Sequence, residues 1–421
     1  MPARHFPVRP NLEQLRNQAK DLLRDVRARV PEALADLREY HPEKTDPASA
    51  KLADVQLVLA RSYGLPSWPR LVLSCRITKA IWEDDMEEVR SLVLQYPNLL
   101  RENATVPRSH WGPPMSYAAN LGRDRIIAML SDLGAADVQH AFERACLQGR
   151  IETARQLCAM GGRPIPGSVM GPCETLNAAG LSLLLELGAA LTDEHNDRLA
   201  PVALILQTYS RGPQGKHACL SLVEQHGIGL PDTPPMAIHR GRIDLLEAHL
   251  ARDPTLFSRA FTHRDIYPPQ LGCSNDHSLA LHGTPLAAGT LLHMCVDFDE
   301  IEIARWMLAH GADANVKAAV DSDGFGGHTA LFGCVVSQAY RANCRHDDVF
   351  ARLLLDHGAD LNARASLRKR LRFVEDETEH EYRDVRPLSW GERFHDQAWV
   401  NPAVMQLLRA RSRRLERAQQ A

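Results

Sequence analysis

Residues 290–315 read TLLHMCVDFDEIEIARWMLAHGADAN, and this stretch decides the fold. It holds two short segments whose apolar residues recur at helical spacing, separated by Asp299 and closed by the phrase HGADAN. Residues 329–362 open with the same Thr-x-Leu and close with HGADLN. A pair of helical segments that returns along the chain indicates a repeat architecture, in which each unit packs on its neighbours.

Weaker copies of this pattern lie on both sides of these two. The pattern resembles the ankyrin repeat, which starts T-P-L-H-x-A-A, turns at a glycine and closes on L-L-x-x-G-A-D-x-N. The resemblance implies an all-α solenoid of stacked helix pairs with finger loops, with roughly eight or nine units over residues 76–410. The weaker units lie near residues 80–92, 113–135, 145–152, 172–191, 201–230, 238–246 and 386–408.

Two kinds of position support the repeat interpretation independently. Gly122, Gly149 and Gly241 stand where the first helix of a unit must end, and glycine adopts the left-handed cap conformation without a steric penalty. Asp84 takes this place in the first unit. Neither helix of a unit can bury its apolar face alone, so close stacking must stabilise the array. Small residues stand where helix pairs must approach closely, namely Ala118, Ala119, Cys295 and Cys334.

Residues 1–75 differ from the repeats and predict a small helical cap. Asn11, with a glutamine three positions later, marks the start of a first helix, and Pro31 opens a second. A third helix covers about residues 49–63 and ends before a glycine. The phrase YGLPSWPRL at residues 63–71 resembles the helical leader that precedes the repeats in a group of bacterial ankyrin-repeat proteins. Repeat arrays need polar-faced ends, so we expect this segment to cap the array.

Three stretches interrupt the repeat period, at residues 262–285, 316–328 and 364–385. The resemblance to ankyrin repeats implies that such connections project as finger-like hairpins beside the concave face. Binding residues concentrate on loops that a rigid scaffold carries, so these three insertions are candidate recognition loops. Residues 411–421 are expected to form a basic C-terminal tail.

Composition and charge argue against several classes of protein. The net charge of -3 at pH 7 creates no global field that would attract nucleic acid. The apolar run at residues 200–206 is among the longest, and a membrane helix needs about 20 such residues. The first ten residues lack the apolar core of a secretory signal. The 9 cysteines are scattered without paired spacing, which predicts reduced thiols in a cytoplasmic protein.

Local signatures of catalysis are missing from the sequence, and we expect a non-enzymatic protein without cofactors. The run GPQGK at residues 212–216 has too few residues between its glycines for a phosphate-binding loop. The run DSDG at residues 321–324 lacks the third acidic ligand and the closing glutamate of a calcium loop.

A metal site is one alternative that stays open. Residues 262–285 contain His263, Cys273, His277 and His282, which are residue types that zinc selects. Structural zinc sites usually show a close C-x-x-C or H-x3-H pair, and residues 262–285 contain neither of these two spacings. This alternative would make the chain an enzyme or a metal-dependent protein with its site in that insertion.

Nucleic-acid binding is a second alternative. Arginines crowd residues 364–372, and the same residue recurs in the last helix. Base-stacking aromatic residues are not interleaved with either run, which disfavours this interpretation. The arginines of the C-terminal segment are Arg409, Arg411, Arg413, Arg414 and Arg417.

The concave groove is the predicted binding surface. In the repeat frame, the variable positions of the first helix point away from the stack and toward the groove, and large side chains there are typical interface anchors. We therefore expect a monomeric scaffold or adaptor that binds another protein, without membrane association. The predicted partner-binding residues are Trp82, Tyr117, Leu121, Met294, Phe298, Trp390 and Phe394.

Overall fold

The computed structural model describes residues 4–43, 45–276 and 281–420, with side chains described as far as Arg414. The chain folds as two compact units, Met1–Pro164 and Ile165–Ala421. The first unit therefore contains both the predicted cap and the first repeats. No helix in the described ranges is both long and apolar enough to cross a membrane.

The first unit consists of helices joined by turns and loops. The capping prediction is confirmed, because the Asn11 side chain accepts hydrogen bonds from the backbone N–H groups of Glu13 and Gln14. Its helices are α1 (Leu12–Arg27), α2 (Pro31–Tyr40), α3 (Leu52–Ser62), α4 (Trp68–Trp82), α5 (Met86–Gln95), α6 (Pro114–Leu121), α7 (Asp124–Asp132), α8 (Val138–Leu147) and α9 (Ile151–Ala159).

The second unit continues with helix pairs and adds one β-hairpin. Its helices are α10 (Met170–Thr175), α11 (Ala178–Glu186), α12 (Ala200–Gln207), α13 (Pro213–Gln225), α14 (Pro234–His239), α15 (Ile243–Arg252), α16 (His263–Ile266), α17 (Leu291–Asp297), α18 (Ile301–Ala309), α19 (Ala330–Val335), α20 (Gln338–Arg341), α21 (Val349–Asp356), α22 (Pro387–Arg393) and α23 (Pro402–Gln420). The strands are β1 (Ala365–Arg370) and β2 (Glu379–Val385).

First helices of successive units stack on one another, as the repeat pattern predicts. In the first unit α4 packs on α6 and α6 on α8, and in the second α14 packs on α17, α17 on α19 and α19 on α22. The fold is thus an all-α solenoid of stacked helix pairs, and the described residues add one two-stranded sheet. The stacking buries the small and apolar residues of the first helices, which neither helix of a pair could bury alone.

In several units, the turn after the first helix adopts the left-handed conformation. Gly122, Gly149 and Gly241 have φ of 68°, 64° and 66°, as predicted. Asp84 and Asp299 occupy the same place in other units, with φ of 59° and 63°. Aspartate tolerates this conformation better than most residues because its short side chain can hydrogen-bond locally.

The three insertions pack against their own unit. In residues 262–285, α16 and a 3₁₀ turn at Pro269–Leu271 bury Tyr267 and Leu271. The prediction that this insertion projects as a finger is therefore wrong for these residues, because its apolar side chains gain more by packing than by exposure. Residues 316–328 contain a β-bridge between Val320 and Gly326, and a second bridge between Gly326 and Ser366 joins them to the hairpin.

Strands β1 and β2 form an antiparallel hairpin within residues 364–385. The register places Lys369 opposite His380 and Arg370 opposite Glu379, and it shifts between Ala365 and Leu367. Burial alternates along β1, with Ala365, Leu367 and Lys369 on the covered face.

Candidate functional site

Five of the seven predicted groove residues are buried. The expectation that they face solvent is wrong for these five, although the repeat frame places them correctly on first helices or at their ends. Trp82 and Leu121 are partly exposed. The buried residues are Tyr117, Met294, Phe298, Trp390 and Phe394.

In the first unit, the segment before α1 covers the predicted groove positions. The Tyr117 hydroxyl donates a hydrogen bond to the Val8 carbonyl oxygen at 2.8 Å, and its ring centroid lies 5.1 Å from that of Trp111. The guanidinium of Arg9 lies over the Trp82 ring at 5.0 Å. Burial raises the pKa of Tyr117 above its usual range, so this hydroxyl stays a neutral donor.

In the second unit, the hairpin covers Trp390. The Trp390 ring meets Tyr382 of β2 edge-on with centroids 4.8 Å apart, and its Nε1–H donates to the Thr284 hydroxyl at 3.1 Å. Phe394 stacks on Tyr382 with centroids 5.9 Å apart. The terminal unit therefore buries its aromatic residues against the insertion at residues 364–385.

Insertion 262–285 covers Phe298, and the contacts are aromatic and cationic. The ring centroid of Phe298 lies 6.3 Å from that of Tyr267, and the two rings meet edge-on. On the repeat side, the Lys216 ammonium lies 3.7 Å from the Phe298 centroid and the Arg211 guanidinium 5.0 Å from it. A desolvated cation over an aromatic face is attracted by the ring quadrupole.

A buried ion network fixes the same insertion to α17. Asp297 Oδ2 accepts hydrogen bonds from Arg211 Nη2 at 3.0 Å and from His282 Nδ1 at 2.8 Å. The Tyr267 hydroxyl completes the chain by bonding to His282 Nε2 at 3.0 Å. Burial by itself would raise the pKa of Asp297, but the His282 and Arg211 partners outweigh burial and lower it to about 2.

Lys216 and His239 form a second buried contact in this unit. Lys216 Nζ donates to His239 Nδ1 at 3.1 Å, and His239 Nε2–H donates to the Ile266 carbonyl at 2.9 Å. Burial lowers the pKa of Lys216 to about 7 and that of His239 well below its usual range. Neither side chain lines the cavity described next, so we assign them to holding the insertion against α13 and α14.

All three insertions meet at one cavity of about 750 Å³, which we call the insertion cavity. Its volume lies within the range of roughly 300–1,000 Å³ that is usual for ligand sites. The sequence predicted three separate fingers, and their convergence could not be predicted from it. The lining residues include His263, Asn275, Asp276, His282 and Pro285 from the first insertion and residues 286–288 that follow it, residues 319–321, Phe325, Gly326 and His328 from the second, and residues 367–370 and Glu379 from the third.

Lys369 gives the insertion cavity its most unusual chemistry. The side chain is 9% exposed, and among the described residues it forms no hydrogen bond or ion pair. Burial lowers its pKa to about 8, and the charge of Asp297, which already binds Arg211 and His282, only partly opposes this. A largely desolvated ammonium without an anion is costly, because most of its lost hydration is not replaced.

Lys369 was not predicted from the sequence, because residues 364–372 were interpreted as one uniformly charged segment. In the residues ASLRKRL at 365–371, apolar side chains occupy every second position except that of Lys369, and polar side chains lie between them; this period of two predicts a strand. Lys369 falls in phase with Ala365, Leu367 and Leu371, on the apolar face. A lysine on the covered face of a strand is the pattern that could have identified it.

The arginines around Lys369 already have partners. Arg368 pairs with Asp321 at 2.6 Å and Asp323 at 3.0 Å, Arg372 pairs with Glu377 at 3.2 Å, and Arg364 pairs with Asp384. The basic run is therefore largely neutralised by carboxylates of the same chain. These ion pairs also occupy the carboxylates of the DSDG stretch, which a calcium ion would need.

The metal alternative gains no support from the described residues. Cys273 is buried, and burial raises the pKa of its thiol to about 12, so it is a neutral and poor ligand. Both ring nitrogens of His282 are hydrogen-bonded, while His277 lies outside the described residues. Within the described ranges, no group of three or more His, Cys, Asp or Glu side chains is arranged to hold a metal ion.

Comparisons with known proteins find matches among solved structures. No family model matches the chain, and no curated protein sequence matches it. Among solved structures, the crystal structure of the human ASB11 ankyrin repeat domain is similar over 71% of this chain and 97% of that chain, with 17% sequence identity and a TM-score of 0.24.

Proposed function

We propose that this chain is a non-enzymatic scaffold or adaptor that binds a partner protein and holds an anionic group of that partner in the insertion cavity. The observation that carries the proposal is Lys369, a largely buried side chain on the cavity wall that has no ion-pair partner among the described residues. A carboxylate entering the cavity would form a charge-assisted hydrogen bond, and such bonds are roughly twice as strong as neutral ones.

The scaffold supports this role because it holds three insertions rigidly around one cavity. Loops on a rigid frame lose little conformational freedom when they bind, so more of the contact energy appears as affinity. The step from a stacked-helix repeat fold to protein binding is an analogy from the fold, and the cavity supplies the site-based argument.

We do not assign catalysis to the cavity. The His282 ring is bonded on both nitrogens, and His328 Nε2 donates to the Pro285 carbonyl at 2.9 Å. Burial lowers the pKa of His328 to about 3, so it stays neutral near pH 7. Among the described residues that line the cavity, none combines a nucleophile with an adjacent base.

The predicted groove residues divide between two roles in this proposal. The five buried ones stabilise the cover over the first helices. Trp82 and Leu121, which stay partly exposed in the first unit, remain proposed partner contacts. We also propose a monomer in the cytoplasm, where 9 unpaired cysteines, 7 of them buried, would stay reduced.

A peptide array tests the cavity assignment. Ten-residue peptides with randomised sequences carry glutamate or glutamine at one central position, and the wild-type chain is compared with Lys369→Met. Lys317→Met is the matched control, because Lys317 lies in a cavity-forming insertion but is exposed. We expect the wild type to prefer glutamate peptides about tenfold or more, and Lys369→Met alone to lose that preference. Equal retention of glutamate peptides by Lys369→Met would contradict the proposal.

A further inference from the structure

Strand β1 has a free edge on the insertion cavity. Its other edge pairs with β2 along its length. On the cavity side, the Ser366 carbonyl accepts the Gly326 N–H at 2.6 Å, and the Ser366 N–H donates to the Gly326 carbonyl at 3.3 Å. The main-chain groups of alternate residues in a strand point to the same edge, so those of Arg368 and Arg370 also point away from β2. No described backbone group bonds to them there.

Pairing on this edge ends at Gly326 because the second insertion turns away. Gly326 has φ of 122°, which favours glycine, and a Cβ at this position would collide with the Ala319 carbonyl oxygen. Beyond Ser366, residues 367–370 line the cavity instead of meeting another strand. An exposed strand edge is a template for another chain, and proteins usually guard it.

Charge on this edge selects what can pair with it. Arg368, Lys369 and Arg370 are consecutive, so a second copy of β1 would be repelled. Of the acidic residues that line the cavity, Asp321 pairs with Arg368 and Glu379 lies opposite Arg370 in the hairpin register, while Asp276 belongs to the first insertion. Among the described residues the Lys369 ammonium has no ion-pair partner, and it attracts a carboxylate.

We propose that an acidic, extended segment of the partner protein adds to the free edge of β1 as a third strand and sets a carboxylate beside Lys369. This inference rests on the proposed function and names the conformation of the bound segment. The mode is β-augmentation, in which main-chain hydrogen bonds give affinity and side-chain pockets give specificity.

The hairpin register predicts the pattern of contacts. In an antiparallel arrangement, Arg368 and Arg370 would exchange main-chain hydrogen bonds with the incoming strand. Lys369, whose main-chain groups face β2, would lie in a non-hydrogen-bonded pair, where opposite Cα atoms are only about 4.5 Å apart. An acidic residue directly opposite Lys369 therefore lies within reach of its ammonium.

The test uses synthetic octapeptides, acetylated and amidated, in which threonine and valine alternate around a central glutamate. Binding is measured by fluorescence anisotropy with the full chain. N-methylation of two alternate amides blocks one edge of the peptide, and shifting both methyl groups by one residue blocks the other edge. We expect one methylated peptide to bind at least about tenfold more weakly and the other to bind nearly as well as the parent, because only one edge meets β1.

Protein variants give a second, independent test. Arg370→Pro removes the N–H on the free edge, while the main-chain bonds between β1 and β2 at Leu367 and Lys369 stay intact. Arg370→Ala is the matched control for the lost side chain. We expect Arg370→Pro to weaken glutamate-peptide binding about tenfold and Arg370→Ala to change it by less than about threefold.

The outcomes separate the two proposals. If glutamate peptides bind in a Lys369-dependent way but neither N-methylation pattern nor Arg370→Pro weakens them, strand addition is wrong and the proposed function stands. If no glutamate peptide binds in a Lys369-dependent way, both proposals are wrong. Because the methylated peptides are tested on the wild-type chain, a misfolded variant cannot decide the result.

Discussion

Asn120 in the first unit and Asp297 in the second occupy the same place in their repeats. Each lies two residues before the left-handed residue that ends a first helix, Gly122 in one and Asp299 in the other. Asn120 is buried and neutral, and its Oδ1 accepts a hydrogen bond from Arg144 at 2.8 Å. Asp297 is buried and charged, and it binds Arg211 and His282.

The difference follows from what covers each region. In the first unit the segment before α1 covers the first helices through contacts such as the Tyr117–Val8 hydrogen bond. In the second unit a long insertion covers them, and it brings His282 and Tyr267 into a network of buried charges. A neutral cover survives the loss of one contact, whereas a buried ion network must be complete to be stable. The insertion that covers the second unit also forms a wall of the insertion cavity.

Removing the carboxylate of Asp297 should break the second region most severely. Asp297→Ala leaves the Arg211 guanidinium buried without a counter-ion, and we expect a loss of about 3–5 kcal/mol in the free energy of unfolding. Asn120→Ala, at the matching repeat position, removes a neutral acceptor and should cost about 1–2 kcal/mol. Urea unfolding of both variants measures the difference. Equal losses would show that the two covers depend on the same kind of contact.

Removing the charge of Lys369 should instead raise the free energy of unfolding. Its folded pKa of about 8 lies below the ordinary 10.5, so between these values the unfolded chain binds more protons and stability rises with pH. Below pH 8 the cost of the buried charge is fully present. At about 1.4 kcal/mol for each pH unit between the two values, Lys369→Met should be up to about 3 kcal/mol more stable than wild type.

The pH dependence of the stability difference between Lys369→Met and wild type tests whether the buried charge causes it. Because other groups titrate alike in both chains, the stability difference between Lys369→Met and wild type should shrink from pH 8 to 10.5. Urea unfolding at pH 7, 9 and 10.5 provides the measurement. A gap that does not change with pH would mean that packing, and not charge, sets the difference.

Two glycines at one repeat position sharpen the comparison further. Gly122 and Gly241 share φ near 68° and 66°, so alanine strains both backbones by about 1 kcal/mol. A Cβ atom at position 122 would lie 3.4 Å from Arg150 Cδ, which is an ordinary contact. A Cβ atom at position 241 would overlap the His217 ring. Moving that ring breaks its hydrogen bond to the buried Glu300 carboxylate, 2.8 Å away. We expect Gly241→Ala to cost about 1–2 kcal/mol more than Gly122→Ala in thermal unfolding.

The smallest expected effect concerns the two tyrosine hydroxyls that hold the covers. Tyr117→Phe removes one neutral hydrogen bond to Val8, at a cost of about 1 kcal/mol. Tyr267→Phe leaves His282 Nε2 without a partner inside the ion network, so its cost should be larger, about 1–2 kcal/mol. Parallel urea titrations would detect the order, and the reverse order would contradict the view that the second cover is the less tolerant one.

The repeat pattern predicted the local structure well, because it depends on residues close in sequence. The caps at Asn11 and Gly122 and the helix from Pro31 follow from local chemistry alone. The same pattern gave the frame positions of Tyr117 and Phe298 but not their burial. What covers them comes from pairings distant in sequence, such as Tyr117 with Val8, and no periodicity encodes those.

The candidate site was less predictable for the same reason. Each insertion was visible as a break in the period, but the cavity exists only where all three meet. Lys369 was hidden in a run of arginines whose charges the fold neutralises one by one. Its position in phase with Leu367 and Leu371 places it on the apolar face of a predicted strand, while its lack of an ion-pair partner among the described residues is a property of the folded chain alone.

Amide hydrogen exchange along β1, with and without a glutamate octapeptide, tests the central claim most directly. We predict that the peptide slows exchange at Arg368 and Arg370, whose N–H groups are free on the cavity edge, and leaves Leu367 and Lys369, already paired with β2, unchanged. The Lys369→Met chain should show no such protection at the same peptide concentration. Protection confined to residues outside the insertion cavity, with β1 unaffected, would contradict the account.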